Sequence, residues 1–294
     1  MKELVVISGK GGTGKTSITA SFAVLDAADI VVADCDVDAA DLHLLLKPDE
    51  ARTEDFYSGE TAAIDPGACT ACGECARVCR FGAVAIRGGA YLVDPLRCEG
   101  CGYCARVCPA GAIVNRPEKA GVWHESRTRI GCTMVHAKLG IGSENSGKLV
   151  ARVKKEARRC AEAEGKGYLL VDGSPGIGCP VVSSLSGADA VVLVTEPTVS
   201  GLHDLRRVYE LVEKFHIPAG CLINKATINE DMTRSILDFL GERKIRHLAS
   251  LPYDEDFTRA MVAGSTIVEY GDGPIKDALA EAWRGVRELA ESER

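Results

Sequence analysis

Short runs of apolar residues recur along this chain at intervals that suit an alternation of strands and helices. The runs are rich in Val, Ile and Leu and fall at residues 4–8, 30–36, 167–172, 190–195, 219–225 and 245–251. Helical spacing of apolar positions follows three of them, at residues 15–26, 202–215 and 230–241. Uninterrupted apolar runs predict strands buried on both faces of a parallel sheet. The pattern therefore predicts an α/β fold, a doubly wound parallel sheet that binds its ligand at the carboxyl ends of the strands.

A glycine-rich loop joins the first predicted strand to the first predicted helix. It reads Gly9-Lys10-Gly11-Gly12-Thr13-Gly14-Lys15-Thr16. Strand, G-x4-G-K-[ST] and helix in this order are the context of a phosphate-binding loop, because glycines let backbone N–H groups approach phosphate oxygens. Lys15 is expected to reach the β- and γ-phosphates of ATP, and Thr16 to bind Mg²⁺ through its hydroxyl. The alternative is a chance glycine-rich turn, which the flanking strand and helix disfavour.

Carboxylates stand at the ends of two further predicted strands. Asp34 and Asp36 close the second run, and Asp172 closes the third. A Mg²⁺ ion bound mainly through phosphates and waters needs carboxylates at such strand ends. One aspartate alone could be a helix cap, but three motifs in this order favour a site for Mg²⁺ and ATP or ADP.

Eight of the thirteen cysteines form two runs with the same spacing. The runs are Cys69, Cys72, Cys75 and Cys79, and then Cys98, Cys101, Cys104 and Cys108. Each reads C-x2-C-x2-C-x3-C, the spacing with which bacterial ferredoxins hold two iron–sulfur clusters. Zinc is the competing metal, although zinc sites usually take four ligands from two C-x2-C pairs. Two quartets therefore favour two [4Fe-4S] clusters.

The segment that carries these cysteines is turn-rich and internally duplicated. Cys-Thr-Ala-Cys-Gly-Glu-Cys-Ala-Arg-Val-Cys in its first half parallels Cys-Glu-Gly-Cys-Gly-Tyr-Cys-Ala-Arg-Val-Cys in its second. One difference is that Arg80 stands where the second half has Pro109, a change that could alter the turn after the fourth cysteine. The sequence predicts an inserted α+β ferredoxin-like domain at residues 58–118, within an ATPase domain of residues 1–57 and 119–294.

Composition narrows the class of protein. Apolar residues make up 46% of the chain and charged residues 26%, which suits a globular protein with a proper core. The net charge of −7 disfavours a nucleic-acid-binding surface, and no run of 18 apolar residues suggests a membrane span. The N-terminus leads directly into the first strand without a signal-peptide pattern. The cysteines are therefore expected in a reducing cytoplasm, as metal ligands and not as disulfides.

A second lysine in the loop, Lys10, makes the motif K-G-G-x-G-K-T. This motif resembles the deviant phosphate loop of the MinD/ParA ATPases, which include the nitrogenase iron protein. With the strand-end aspartates, the resemblance covers nearly the whole chain outside the cysteine segment. It implies an ATP-gated dimer, either a homodimer or a heterodimer with a paralogous ATPase, in which Lys10 crosses the interface to the partner's nucleotide. The plainer alternative for Lys10 is a solvated surface lysine.

The resemblance also assigns roles to individual residues. It implies that Asp36 positions the attacking water and that Lys10 and Lys15 are also catalytic. It further implies that Asp34 and Asp172 lie near the metal. Asn224 resembles the family's base-recognition asparagine, since an amide both donates to and accepts from an adenine edge. The remaining candidates for contact with the nucleotide are Thr198 and Lys225.

The ferredoxin resemblance implies that the fourth cysteine of each run binds the other cluster. One cluster would then take Cys69, Cys72, Cys75 and Cys108. The other would take Cys98, Cys101, Cys104 and Cys79. Most of the five remaining cysteines are expected to be small buried hydrophobes. Cys179 is the exception, because its offset from Asp172 matches a cluster ligand of the nitrogenase iron protein; a dimer-bridging third cluster would need Cys132 as the second donor.

Two functions compete at this point. The first is ATP-gated electron transfer through the two clusters to a redox or metallocluster partner protein. The second is an iron–sulfur or metal-cofactor carrier like the related cytosolic scaffold ATPases, which hold a labile cluster on a C-x2-C pair that this chain lacks after Cys108. A positioning ATPase of the MinD type is disfavoured. The predicted C-terminal helix, residues 274–294, has four basic and five acidic residues, which favours packing on the domain over a membrane.

Overall fold

The computed structural model describes residues 1–140 and 146–292, which form two compact units. The first unit comprises Met1–Glu54, Trp123–Lys138 and the residues from Ser146 onward. The second comprises Asp55–Val122 and a short segment that begins at Leu139. The predicted insert, residues 58–118, lies inside the second unit.

Strands and helices alternate through most of the first unit, and the second unit contains the short elements β4, β5, α3 and α4. The strands are β1 Lys2–Ser8, β2 Ile30–Asp34, β3 Asp49–Ile64, β4 Val84–Arg87, β5 Ala90–Val93, β6 Ile113–Arg127, β7 Thr133–Leu139, β8 Tyr168–Pro175, β9 Ala190–Thr195, β10 Ala219–Ile223 and β11 Arg246–Ser250. The helices are α1 Lys15–Leu25, α2 Leu42–Leu46, α3 Glu74–Val78, α4 Tyr103–Val107, α5 Ser146–Ala163, α6 Cys179–Leu185, α7 Val199–Lys214, α8 Glu230–Arg243, α9 Asp256–Val262, α10 Ile267–Tyr270 and α11 Pro274–Glu291.

The main sheet has the strand order β11-β10-β9-β1-β8-β2-β7-β6-β3. All six pairings from β11 to β7 are parallel, as the apolar runs predict. Helices α1 and α11 contact strands of this sheet, and so do α5, α6 and α7. Since β1 lies between β8 and β9, the carboxyl ends of β1, β2 and β8 meet at one edge, where the phosphate loop and the predicted carboxylates are found.

Three strands of the sheet were not predicted. They are β3, β6 and β7, which lie at one end of the strand order. Strand β3 is rich in Glu, Asp and Thr, and β6 mixes exposed and buried positions without strict alternation. Strands with many exposed polar residues give a weak periodicity signal, so the hydrophobic pattern did not predict β3, β6 and β7.

The C-terminal helix α11 packs against the core, as its apolar spacing predicts. Leu279, Trp283 and Val286 are buried in the same cluster as residues of β1 and α1. The indole N–H of Trp283 donates to Asp26 at 2.9 Å, so the polar edge of the ring has a partner. In the part of the chain that the structure describes, no helix has both the length and the apolar composition that a membrane crossing requires.

The second unit repeats its own local structure. Helices α3 and α4 begin after Gly73 and Gly102, whose φ angles are 80° and 71°. The substitution of Arg80 for proline leaves the turn unchanged, because Cys79 has φ −71° and ψ 106° while Cys108 has φ −71° and ψ 111°. The duplication predicted from sequence is therefore present in the backbone. The hydrophobic core of this unit is a cluster of five buried residues, Ala62, Cys75, Val84, Cys104 and Ile113.

Candidate nucleotide site and cysteine-lined cavities

The phosphate loop leads from β1 into α1 through two glycines with positive φ. Gly12 has φ 80° and Gly14 has φ 89°, a region that side-chain-bearing residues rarely adopt. A Cβ atom at Gly11 or Gly12 would have no described atom within 4 Å, so this side of the loop is open. A Cβ at Gly14 would instead collide with the side chain of Asn224, so the loop approaches Asn224 closely.

Asp172 is the centre of a buried hydrogen-bond network at the end of β8. Lys15 Nζ lies 2.8 Å from Asp172 Oδ1, and the Thr16 hydroxyl donates to Asp172 Oδ2 at 2.9 Å. The Thr19 hydroxyl, one helical turn after Lys15, lies 2.9 Å from Asp172 Oδ1. Asp172 and Thr19 are fully buried and Lys15 is 5% exposed. The network holds the three candidate phosphate and metal groups in one rigid arrangement.

Asp34 and Asp36 lie beside this network. Asp34 and Asp172 are register partners on the parallel strands β2 and β8, and Asp36 Oδ2 lies 3.5 Å from Lys15 Nζ. Burial, together with the neighbouring Asp172 carboxylate, raises the pKa of Asp34 well above its usual value. Burial lowers the pKa of Lys15, but the surrounding carboxylates outweigh it and the pKa is raised. Three buried carboxylates thus share one lysine, and an added cation would be strongly favoured.

One oxygen of this cluster has no described partner. Asp34 Oδ1 accepts from the Asp36 N–H at 3.1 Å, whereas Asp34 Oδ2 is buried and accepts no hydrogen bond among the described residues. A buried carboxylate oxygen without a donor is costly. The donor set and this orphaned oxygen fit a hydrated Mg²⁺ ion, which binds through carboxylates, waters and phosphates.

Lys10 forms an ion pair within its own chain. Its Nζ lies 2.7 Å from Glu196 Oε1 and donates to the hydroxyls of Thr198 at 3.1 Å and Ser200 at 2.9 Å. Lys225 Nζ lies 2.9 Å from the other oxygen of Glu196. Burial raises the pKa of Glu196, but hydrogen bonds from the two lysines outweigh it and the pKa is lowered.

Asn224 and Lys225 hold the phosphate loop. Asn224 Nδ2 donates to the Thr13 carbonyl at 2.8 Å, and Lys225 Nζ donates to the Gly12 carbonyl at 3.0 Å. The Asn224 oxygen accepts from the N–H of Lys225 at 2.9 Å. One amide hydrogen and one lone pair of Asn224 remain for a base edge. Thr198 caps α7 by accepting from the Gly201 N–H at 2.9 Å.

Two cavities in the second unit each contain four of the eight spaced cysteines. The first has about 310 Å³ of open space and is lined by Cys69, Cys72, Cys75 and Cys108. The second has about 380 Å³ and is lined by Cys79, Cys98, Cys101 and Cys104. Each cavity combines three cysteines of one run with the fourth of the other. The fold therefore brings together the two quartets that the ferredoxin resemblance implies.

Backbone N–H groups point at sulfur atoms of both runs. The Ala83 N–H donates to Cys79 Sγ and the Ala112 N–H donates to Cys108 Sγ, each at 3.3 Å. The Ala71 N–H donates to Cys69 Sγ at 3.4 Å. Donors of this kind stabilise a thiolate, and hydrogen bonds to sulfur tune iron–sulfur potentials. Within residues 1–140 and 146–292, no three His, Cys, Asp or Glu side chains are arranged to hold a metal ion by themselves, so the fit of Mg²⁺ described above depends on phosphate and water ligands as well as carboxylates.

The sequence as a whole has clear relatives. Residues 4–267 match the protein family described as the CobQ/CobB/MinD/ParA nucleotide binding domain. The chain belongs to this family. The matched range includes the phosphate loop, the strand-end carboxylates and the lysines described above.

Three individual proteins illustrate what this chain is similar to. The uncharacterized protein MJ0578 of Methanocaldococcus jannaschii is 30% identical over 98% of this chain and 97% of its own length. The uncharacterized protein MJ0579 of the same organism is 26% identical over 92% and 94%. The septum site-determining protein MinD of Pyrococcus horikoshii, complexed with Mg-ADP, has a TM-score of 0.59 at 18% identity over 99% of this chain and 97% of its own. This last likeness establishes a MinD-like fold.

The remaining cysteines of this MinD-like chain bear on the bridging-cluster prediction. Cys35, Cys132, Cys160 and Cys221 are buried and Cys179 is exposed. Cys132 is fully buried, and its Sγ lies 3.3 Å from the Thr128 hydroxyl. A ligand to a cluster shared between two chains must reach the surface, so the burial of Cys132 argues against the bridging cluster that the sequence left open. The other buried thiols behave as the small hydrophobes predicted.

Three residues of the nucleotide site were missed from sequence. Thr19 contacts Asp172. Glu196 contacts both Lys10 and Lys225, and Ser200 contacts Lys10. Thr19 stands four residues after Lys15, a spacing that places both on one helix face, so its position was readable. Glu196 follows β9 at the same sheet edge as the predicted carboxylates, which was also a usable signal. Ser200 carried none, because only the packing of α7 against the loop brings it near.

Proposed function

We propose that this chain is a Mg²⁺-dependent ATPase that couples nucleotide-gated dimerisation to electron transfer through two [4Fe-4S] clusters. The observation that carries this proposal is the pair of four-cysteine cavities in a chain whose other unit is a MinD/ParA-type nucleotide-binding domain. An energy-coupled function needs both parts, since ferredoxin chemistry alone requires no nucleotide site.

The nucleotide half of the proposal is supported by the network around Asp172. Lys15 and the open face of the phosphate loop would receive the β- and γ-phosphates, while the Thr16 hydroxyl, Asp34 and Asp172 would hold the hydrated Mg²⁺. Asp36, 3.5 Å from Lys15, would orient a water for attack on the γ-phosphate. The Mg²⁺ ion would neutralise charge on the phosphates. MinD of P. horikoshii binds Mg-ADP on the same fold.

The cysteine half is supported by the donor chemistry of the cavities. Four thiolates with backbone N–H donors suit iron, and a cubane cluster spreads its ligands because each thiolate binds a separate iron atom. Around one zinc ion the four sulfurs would crowd to a shared centre instead. When bound, the two clusters would supply one-electron transfer. Cys69, Cys72, Cys75 and Cys108 would hold one, and Cys79, Cys98, Cys101 and Cys104 the other.

Dimerisation would use Lys10. Its cis partner Glu196 holds it at 2.7 Å, so Lys10 must leave this ion pair before it can reach a nucleotide bound by a second subunit. Lys225 would then keep Glu196 paired, which lowers the cost of the exchange. M. jannaschii carries two relatives that span nearly the whole chain, which makes a heterodimer of paralogues as reasonable as a homodimer.

Cluster delivery is the second candidate. The exposure of Cys72 and Cys101 favours it, because one thiol of each quartet is open to an acceptor protein. Against it, Cys75 and Cys104 are buried in the core of the second unit. Permanent ligands are expected in a core, so we rank delivery below electron transfer.

The iron content is measured first, and the function is tested afterwards on the same protein. Protein purified without oxygen should contain about eight iron atoms per chain, four for each cluster. The holoprotein is then mixed with ATP and an apo-acceptor, and its absorbance is followed. Redox cycling with clusters retained is expected; loss of clusters to the acceptor would establish delivery instead. An iron-free chain with bound zinc would overturn both.

A further inference from the structure

A concave surface lies next to the second cysteine cavity. It has about 620 Å³ of space, partly open to solvent, and is formed by the β4–β5 hairpin and the turn before Cys98. Its lining includes Ala85, Arg87, Leu92, Pro95 and Arg97. None of these residues takes part in the nucleotide site or in the two quartets.

This surface shares part of its wall with the second cysteine cavity. Ala83 and Val93 line both the concave surface and the cavity that contains Cys79, Cys98, Cys101 and Cys104. A molecule seated in the concavity would therefore contact residues that also line that quartet. The first quartet shares no lining residue with this surface.

The surface carries two exposed arginines and one carboxylate, Asp94. The Arg87 side chain is exposed and forms no ion pair or hydrogen bond with any described residue. Arg97 is 67% exposed and forms an ion pair at 3.7 Å with Asp94, so the positive charge of Arg87 is the one left over. Residues 55–122 contain seven basic and seven acidic residues, so the entire net charge of −7 belongs to the rest of the chain.

Apolar side chains complete the surface. Leu92 is 47% exposed, and Leu96, between the lining residues Pro95 and Arg97, is 82% exposed. Apolar side chains with arginines around them are the composition of a protein-binding surface, in which arginine is enriched and lysine is depleted.

We propose that this concave surface docks an acidic one-electron carrier protein. Carboxylates of the carrier would meet Arg87 and Arg97, while its apolar contact area covers Leu92 and Leu96. One electron leaves the reduced carrier, which is oxidised, and reduces the centre held by the second quartet, so no bond forms or breaks. This inference rests on the proposed function, because it needs a redox centre in that quartet.

The test uses the anaerobic holoprotein and a reduced plant-type ferredoxin, an acidic protein, in stopped-flow experiments. Wild type should accept electrons fastest at low ionic strength and more slowly as salt screens the arginines. R87E/R97E should lower the second-order rate constant at low salt by roughly ten-fold or more, since charge steering changes association rates to that degree. Arg116→Glu, an exposed arginine of the second unit outside the concavity, is the matched control and should react as wild type does.

Reduced methyl viologen provides the internal standard. As a small cation it needs no docking surface, so R87E/R97E should be reduced by it no more slowly than wild type, which shows that the clusters are intact. A wild-type ferredoxin rate in R87E/R97E at low salt would overturn the proposal. If the chain holds no iron, the proposed function fails separately, and titration with redox-inactive gallium-substituted ferredoxin still reports whether Arg87 and Arg97 bind an acidic surface.

Discussion

The nucleotide site and the cysteine unit are held in place by different physical means. Around Asp172 the side chains of Lys15, Thr16 and Thr19 hold one another, and the strands beneath them are fully buried. In the second unit, two of the five buried core residues are themselves the proposed ligands Cys75 and Cys104. The first site is organised by protein side chains alone, whereas the core of the second unit is small and includes two of its own proposed ligands.

The two units must therefore obtain their folding stability from different sources. A unit of fewer than 70–80 residues rarely obtains enough stability from its core and commonly needs metals or disulfides. The binding free energy of a structural metal group becomes folding free energy when the site does not exist in the unfolded chain. We therefore expect the second unit to depend on its clusters and the first to fold and bind nucleotide without them.

Removal of iron should have the largest effect, which is the unfolding of the second unit while the first unit stays folded. After treatment with an oxidant and a chelator, amide hydrogens in residues 55–122 should exchange rapidly, while those of β1, β8 and α1 stay protected. The nucleotide affinity of the first unit should be retained. Equal protection of residues 55–122 with and without iron would remove the contrast between the two units.

Lys15→Ala should abolish nucleotide binding while leaving the iron content unchanged. Lys15 is the one cation among three buried carboxylates, so the variant loses both the phosphate contact and the charge balance. We expect affinity to fall by more than about 100-fold, or ~3 kcal/mol, measured by titration calorimetry. Lys276→Ala, at an exposed lysine paired with Asp272, is the control that should bind normally.

Asp36→Ala should spare ATP binding and stop turnover. If Asp36 orients the attacking water, the phosphate release rate should fall by about 10²–10⁴-fold, the usual contribution of a positioned base. Asp38→Ala, an exposed carboxylate of the same segment, supplies the control. Unchanged turnover in the Asp36 variant would remove this residue from the role.

His136 should make the first unit sensitive to acid. Burial, aided by His124 stacked at 4.8 Å and by His43, lowers the pKa of His136 to about 4. Between pH 6.5 and about 4 the unfolded chain therefore binds more protons, so stability is present above pH 6.5 and is lost as the pH falls. From pH 7 to pH 5 this one group should cost about 2 kcal/mol.

Urea unfolding followed by fluorescence reports on the first unit, because Trp123 and Trp283 both lie in it. His136→Leu should flatten the loss of stability between pH 7 and pH 5. His203→Leu, at an exposed histidine on α7, should leave the pH dependence of wild type intact. The same slope in all three proteins would show that His136 does not titrate as described.

Thr19→Val should have the smallest effect. It deletes one hydrogen bond to Asp172 at nearly constant volume, and such a bond contributes about 1 kcal/mol. We expect several-fold slower ATP hydrolysis with normal ATP affinity. A change in affinity without a change in turnover would show that Thr19 supports the loop and not the carboxylate.

Sequence reasoning anticipated most of the parallel sheet because its strands are continuous apolar runs. It anticipated the phosphate loop because the G-x4-G-K-[ST] spacing is local, and in the structure Gly12 and Gly14 of this loop have positive φ. It failed for β3, β6 and β7, whose polar residues give no clear period. It left the role of Cys132 open, because no spacing reveals the depth of this residue in the fold. Glu196 was overlooked although it ends a strand, since a single carboxylate carries little information.

The sequence by itself determined the motifs and their order along the chain, because phosphate loops and cysteine runs need particular residues at particular local spacings. Only the tertiary structure decided which distant groups meet. It paired Lys10 with Glu196, set Asp34 beside Asp172, and divided eight cysteines into two cavities that each draw on both runs. Such contacts depend on strand order and helix packing, which are cooperative properties of the whole chain.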